Sequence, residues 1–182
     1  MITMKRSLPY IALALVLAQL LLMVGSWLWS AALPLSGVRS MLSGEGIRWF
    51  LGHFAEIVAS PVLVWLLLLA MAYGAVVRSR GVSVVFLVIY VGIVLLLTVV
   101  PHAVLLSASG LLWPSPFSAS LVPLAAFGVL MAAIIHGVIA GSFQSLADVY
   151  GALVYGLRQC VPLLPLYILL VQFLESLRFI LP

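Results

Sequence analysis

Residues 61–77 read PVLVWLLLLAMAYGAVV, residues 78–81 read RSRG, and residues 82–100 read VSVVFLVIYVGIVLLLTVV. Each apolar run approaches the roughly 20 residues that carry a helix across the hydrocarbon core of a bilayer. Neither run contains a charged residue, and two arginines are packed into the four residues between them. Inside a bilayer every backbone N–H and C=O has to be satisfied within the protein, which helices do locally. Barrel strands would alternate apolar with polar residues, and these runs do not alternate. The rest of the chain agrees. Hydrophobic residues make up 66%, charged residues 7%, and mean hydropathy is +1.37. A soluble domain needs about a quarter of its residues charged, so the solvent read from this composition is lipid.

Three further runs of the same kind lie at 8–33, 118–140 and 161–177. The first is longer than the roughly 7–15 apolar residues of a signal peptide, and Trp27 and Trp29 near its end suit an interfacial aromatic belt. It reads as a retained helix. Two segments differ in kind. In 43–60, Ile47, Phe50, Leu51, Phe54, Ile57 and Val58 recur at helical spacing, and Glu45, Arg48, His53 and Glu56 fill much of the remainder. In 142–159, Leu146, Val149, Tyr150, Leu153 and Leu157 form the apolar face, with Ser145 and Asp148 at capping-box spacing. The stretch 101–114 is apolar but broken by serines, Gly110 and Pro114, and predicts a re-entrant or interfacial segment, with His102 at the interface. The predicted fold class is all-α: one integral membrane domain over 1–182, a polytopic membrane helical bundle of five transmembrane helices and two amphipathic connecting helices.

Charge gives the orientation. With the N-terminus cytoplasmic, Lys5, Arg6, Arg78, Arg80 and Arg158 lie inside, against Arg39, Arg48 and Arg178 outside. Lys and Arg collect on the cytoplasmic side, so the expectation is a multi-pass inner-membrane protein with its C-terminus outside. The net charge of +4 comes from scattered residues rather than a basic run, which points to the lipid bilayer and away from nucleic acid as partner. Cys160 stands alone, so neither an internal disulfide nor a cysteine-based metal site is expected. No zincin motif, phosphate-cradling glycine loop or nucleophile elbow occurs. Neither enzyme activity nor a cofactor is expected. Span, amphipathic helix and span occur in that order twice, on opposite sides of the membrane, as an inverted-topology repeat would place them.

Two stretches resemble the p-aminobenzoyl-glutamate transporters (AbgT family). The first is Met41-Leu-Ser-Gly-Glu-Gly-Ile-Arg-Trp-Phe50, similar to the segment after that family's first membrane helix. The second is Ser115-Pro-Phe-Ser-Ala-Ser-Leu-Val-Pro-Leu124, then an apolar helix, then His136-Gly-Val-Ile-Ala-Gly-Ser-Phe-Gln-Ser-Leu-Ala-Asp-Val149, closed by Val171-Gln172-Phe173. The order of these motifs is similar over roughly two-thirds of the chain. Family members are more than twice as long, and segments like Asp-Ala-Gly-Tyr after the second span or Asn-Trp-Ser after the last do not occur here. The resemblance therefore covers the family's scaffold and not its transport portion, and carries over no ligand-binding residue. It implies secondary transport of small anionic aromatic–glutamate conjugates or antifolate-like compounds, driven by an ion gradient.

An ionisable residue in a membrane segment is costly and marks a functional path by default. The residues singled out for a substrate or ion path are His136, Glu45, Arg48 and Glu56. Glu45 and Arg48 are three apart and so within pairing reach on a helix, as are Glu175 and Arg178. Gln19 and Gln172 sit inside spans and read as interhelical hydrogen-bond partners. Two functions stay open: a transporter working as a homo-oligomer, a dimer first, or a non-transporting scaffold or accessory subunit that docks another membrane protein.

Overall fold

The structure, a computed structural model, describes residues 2–99 and 115–181, and among these it contains helices and turns only. The segment 101–114, with His102, lies outside the described residues. The helices are α1 (Ile2–Ala32), α2 (Gly44–Gly52), α3 (Phe54–Val58), α4 (Pro61–Ser79), α5 (Val84–Val99), α6 (Pro116–Ile139), α7 (Leu146–Cys160) and α8 (Leu164–Ile180), with a 3-10 turn, Val161–Leu163, opening α8. Among the described residues four stretches are long and apolar enough to cross a membrane: Ser7–Ala32, Phe54–Ser79, Phe117–Ile139 and Leu146–Ile180. α5 is equally apolar but has 16 residues. Its Val85, Val88, Ile89 and Leu96 are all exposed, a surface that water would not tolerate and lipid does.

Local chemistry sets the helix ends. Ser43 caps α2 by accepting from Gly46 N–H at 3.1 Å. Ser145 and Asp148 form the capping box of α7, Asp148 Oδ2 accepting from Ser145 N–H at 2.9 Å and Ser145 Oγ accepting from Asp148 N–H at 3.3 Å. The Ser145 hydroxyl also donates to Asp148 Oδ2, at 2.9 Å, and this bond first, then those from Gln144 N–H and Ser145 N–H, holds the Asp148 carboxyl below its ordinary range. Gly141 ends α6 at φ 71°, letting Phe143 N–H reach Gly137 O at 3.0 Å. Arg80 takes the equivalent left-handed conformation after α4, at φ 62°.

The predicted amphipathic helix over 43–60 is two helices. The chain breaks at His53 and leads through α3 into α4 with only Ala59 and Ser60 between. The second predicted amphipathic helix forms as α7, beginning four residues later than read, and it packs one face on α4. Gly74 of α4 lies against Ala152 and Gly156, and Gly156 lies against Ala70, which is midway along α4. Both helices present a small-x3-small face, Ala70/Gly74 and Ala152/Gly156, so their backbones approach without intervening side chains. Arg78 reaches over the Tyr155 ring, 5.3 Å from its centroid.

The chain forms two compact units, one from the segments up to Leu63 and from Val161 onward, the other Val64–Cys160. In the Val64–Cys160 unit, α5 and α6 run antiparallel: Ser83 N–H donates to Ala132 O at 3.0 Å and Tyr90 O–H to Leu124 O at 2.9 Å. In the other unit, α1 and α8 pack side by side and run the same way. Gln19 meets Ser176, its Nε2 donating to Oγ at 2.9 Å, while Ser26 and Trp29 further on share a groove with Ile180 and Leu181. The core there is Met41, Phe179 and Ile180, packed by Leu22, Met23, Val38, Trp49 and Phe50. Lipid tails are as apolar as these side chains, so the core is held by close packing and hydrogen bonds rather than by exclusion of water.

Candidate functional site

Charge gathers at one end of the α1–α8 unit. Two open clefts lie there, sharing Trp49 and His53 as a common wall. The smaller, about 350 Å³, is lined by Arg39, Glu45, Arg48, Trp49, His53 and Phe179. The larger, about 550 Å³, takes Glu56, Ser60, Glu175 and Arg178 as its polar groups, with Ile57, Val62, Val171 and Leu174 as an apolar floor.

Each side chain is placed by packing within this unit. Buried Gly46 lies against the Met41 backbone, seating α2 on the core. Trp49 stacks on Phe179, centroids 4.5 Å apart and planes 20° apart, and so ties α2 to α8. One turn later His53 stacks on Trp49 at 6.3 Å and its Nδ1 lies 3.2 Å from Trp49 O. Arg39 is held over the other aromatic, 5.8 Å from the Phe179 centroid, while its backbone N–H donates to Ile180 O at 3.2 Å. Tyr167 anchors α3 to α8. Its hydroxyl donates to Val58 O at 2.8 Å and lies 2.6 Å from Ser60 Oγ, which must then be the donor of that second bond.

Three of the four residues singled out for a path therefore come together. Glu45 and Arg48 line the smaller cleft and Glu56 the larger. The Glu45–Arg48 pair does not close: Arg48 turns back to donate Nε–H to Gly44 O at 3.0 Å, and among the described residues the ion pair formed is Arg178–Glu175, at 2.6 Å. His136 belongs to the other unit. It is half-buried near the end of α6, with its ring laid over Gly81, where a Cβ would come within 2.7 Å of Nε2. Of the two glutamines, Gln19 joins helices as read, whereas both amide atoms of buried Gln172 lack a partner among the described residues.

Sequence reasoning missed Trp49, Arg39 and Phe179 as members of the site, and gave Arg178 only an intrahelical partner. The Trp49–His53 spacing of four was a usable signal. The meeting of 39–56 with 175–179 was not, because it depends on how α1 and α8 pack. Among the described residues no group of His, Cys, Asp or Glu is arranged to hold a metal ion. Comparison with protein-family models, with curated proteins and with solved structures finds no match.

Proposed function

We propose that this chain is a five-span inner-membrane protein, N-terminus cytoplasmic and C-terminus outside, that moves small aromatic organic anions across the membrane as a homo-oligomer. One observation carries the substrate class: two guanidinium groups, Arg39 and Arg48, flank a stacked aromatic pair, Trp49 and Phe179, in a single cleft. Guanidinium groups pair with carboxylates through planar, directed hydrogen bonds, and the half-buried indole, already stacked on Phe179 and His53, offers its exposed edge to an aromatic ring. This fits the anionic aromatic compounds implied by the resemblance to the p-aminobenzoyl-glutamate transporters.

Parallel packing of α1 and α8 supports five crossings rather than four. Successive spans alternate in direction, so two helices running the same way need an odd number of crossings between them. α4, α5 and α6 supply three; omitting α5 would set α8 against α1. α5 is then a short span, which a bilayer accommodates by local thinning at a modest cost. The clefts are open, so that in a homo-oligomer a second copy would close them.

The test is uptake of an aromatic carboxylate into proteoliposomes under an imposed proton or sodium gradient. Gradient-dependent uptake, reduced at least tenfold in Arg39→Gln and Arg48→Gln, is the expected result. His136→Gln is expected to impair uptake driven by protons. Absence of uptake together with co-purification of a larger membrane partner would replace this reading with the scaffold one.

A further inference from the structure

The two clefts carry opposite residual charge on either side of their shared wall. In the smaller, two guanidinium groups, Arg39 and Arg48, face one carboxylate, Glu45. In the larger, one guanidinium, Arg178, faces two carboxylates, Glu56 and Glu175. Arg178 is already engaged by Glu175 at 2.6 Å. Glu56 is thus the carboxylate of that cleft to which no cation is paired among the described residues. Ser60 beside it spends its proton on Tyr167, so its oxygen offers lone pairs, not a donor, to the cleft. A purely anionic ligand would complete the smaller cleft and leave this acceptor-rich corner unmatched.

We infer that the pair of clefts takes a bipolar ligand: a carboxylate at Arg39 and Arg48, an aromatic ring along the Trp49 wall, and a protonated amine at Glu56. This rests on the organic-anion reading above and narrows its substrate class to aromatic acids bearing a basic amine. The apolar floor of Ile57, Val62, Val171 and Leu174 suits the methylene that separates ring from ammonium. A zwitterionic lipid headgroup has the same two charges but no ring, and the half-buried Trp49 that lines both clefts favours a ligand that has one.

Calorimetric binding to the full-length protein in detergent tests this with 4-(aminomethyl)benzoate, 4-methylbenzoate and phosphoethanolamine. The first carries both charges at neutral pH, the second only the carboxylate, and the third both charges without a ring. The expected result is at least tenfold tighter binding of 4-(aminomethyl)benzoate than of 4-methylbenzoate. Glu56→Gln should collapse that ratio to within about twofold, and Glu56→Asp should keep most of it. Equal binding of the two benzoates overturns the inference and leaves the organic-anion reading standing, as does a ratio that survives Glu56→Gln. If phosphoethanolamine binds as tightly as 4-(aminomethyl)benzoate, the occupant is a headgroup and the inference falls. Failure of both benzoates to bind removes the organic-anion reading itself.

Discussion

Replacing Gly156 by alanine should part α4 from α7, because the new methyl group meets backbone that no rotamer change can clear. Built on Gly156, a Cβ collides with the Ala70 carbonyl oxygen and comes within 2.9 Å of Gly74 N; on Gly74 it comes within 2.5 Å of Gly156 N and 2.7 Å of Gly156 Cα. Ordinary contact begins at 3.4 Å. The helices must therefore separate by roughly 1 to 1.5 Å at the crossing, a gap that forfeits at least a quarter to a half of each dispersion well along it. Overpacking of this kind costs about 1–3 kcal/mol, against a gain in helix propensity of roughly 0.5–1 kcal/mol for Gly→Ala. Each single variant is expected to lose about 1–2 kcal/mol net. The double variant Gly74→Ala/Gly156→Ala should lose less than the sum, since the first methyl opens the space that the second occupies. Reversible unfolding of detergent-solubilised protein measures this, with Gly92→Ala and Gly151→Ala as controls: a Cβ at either meets nothing within 4 Å. If Gly156→Ala is no more destabilising than Gly92→Ala, the α4–α7 crossing is not built as described.

Tyr167→Phe removes a hydroxyl that serves both Val58 O and Ser60 Oγ, and should cost about 1–2 kcal/mol, with faster hydrogen exchange confined to the α3 amides. Gln172→Met replaces a buried amide lacking partners with an apolar chain of similar volume, and should stabilise the detergent-solubilised protein by about 1 kcal/mol. Gln19→Leu, which breaks the bond to Ser176, should destabilise it by about 0.6 kcal/mol. Asp148→Asn tests the α7 cap. The folded carboxyl titrates below its ordinary value, so its stabilising contribution is present above the usual carboxylate range and is lost as pH falls through the depressed value. Thermal midpoints of Asp148→Asn and the parent should differ at neutral pH and converge only as the pH falls below the usual carboxylate range.

The helices were legible because a bilayer permits few alternatives: runs such as 61–77 and 118–140 name their own structure through length and composition. Caps at Ser43 and the Ser145–Asp148 pair were legible for the same local reason. What escaped was set at a distance. Gly156 by its size permits close helix approach, but its partners Ala70 and Gly74, and the role of Ala152, emerge only once α4 and α7 are seen to face each other. Glu175 and Arg178 read as a pair on one helix, and they are one, but the cleft they border exists only because α3 lies across α8 through Tyr167. His136 was chosen for its chemistry alone, and the partner it found is the backbone of Gly81, a residue with no side chain to announce the contact.

The α2–α3 segment shows why a two-face reading of an amphipathic helix fails at a membrane edge. Such a reading supposes two surroundings, core and water, and assigns every apolar residue to the first. Here Gly46, Trp49, Phe50, Ile57 and Val58 are buried or half-buried, while Ile47, Leu51 and Phe54 are exposed to 47%, 71% and 42%. Glu45 and Arg48 of α2, His53 at the break and Glu56 of α3 are also exposed. On α2 the buried residues, the exposed apolar pair Ile47 and Leu51, and the charged pair Glu45 and Arg48 fall in three sectors, and an interfacial position supplies three matching surroundings: protein, hydrocarbon and water. That division is what leaves charged groups beside the aromatic wall without burying them, since the apolar sector anchors the helix on the opposite side. Leu51→Asp should therefore weaken seating of α2 at the interface, seen as faster hydrogen exchange of its amides in bilayers, while Leu51→Ile should not. Equal protection in both variants would place that sector in water and detach the clefts from the membrane surface.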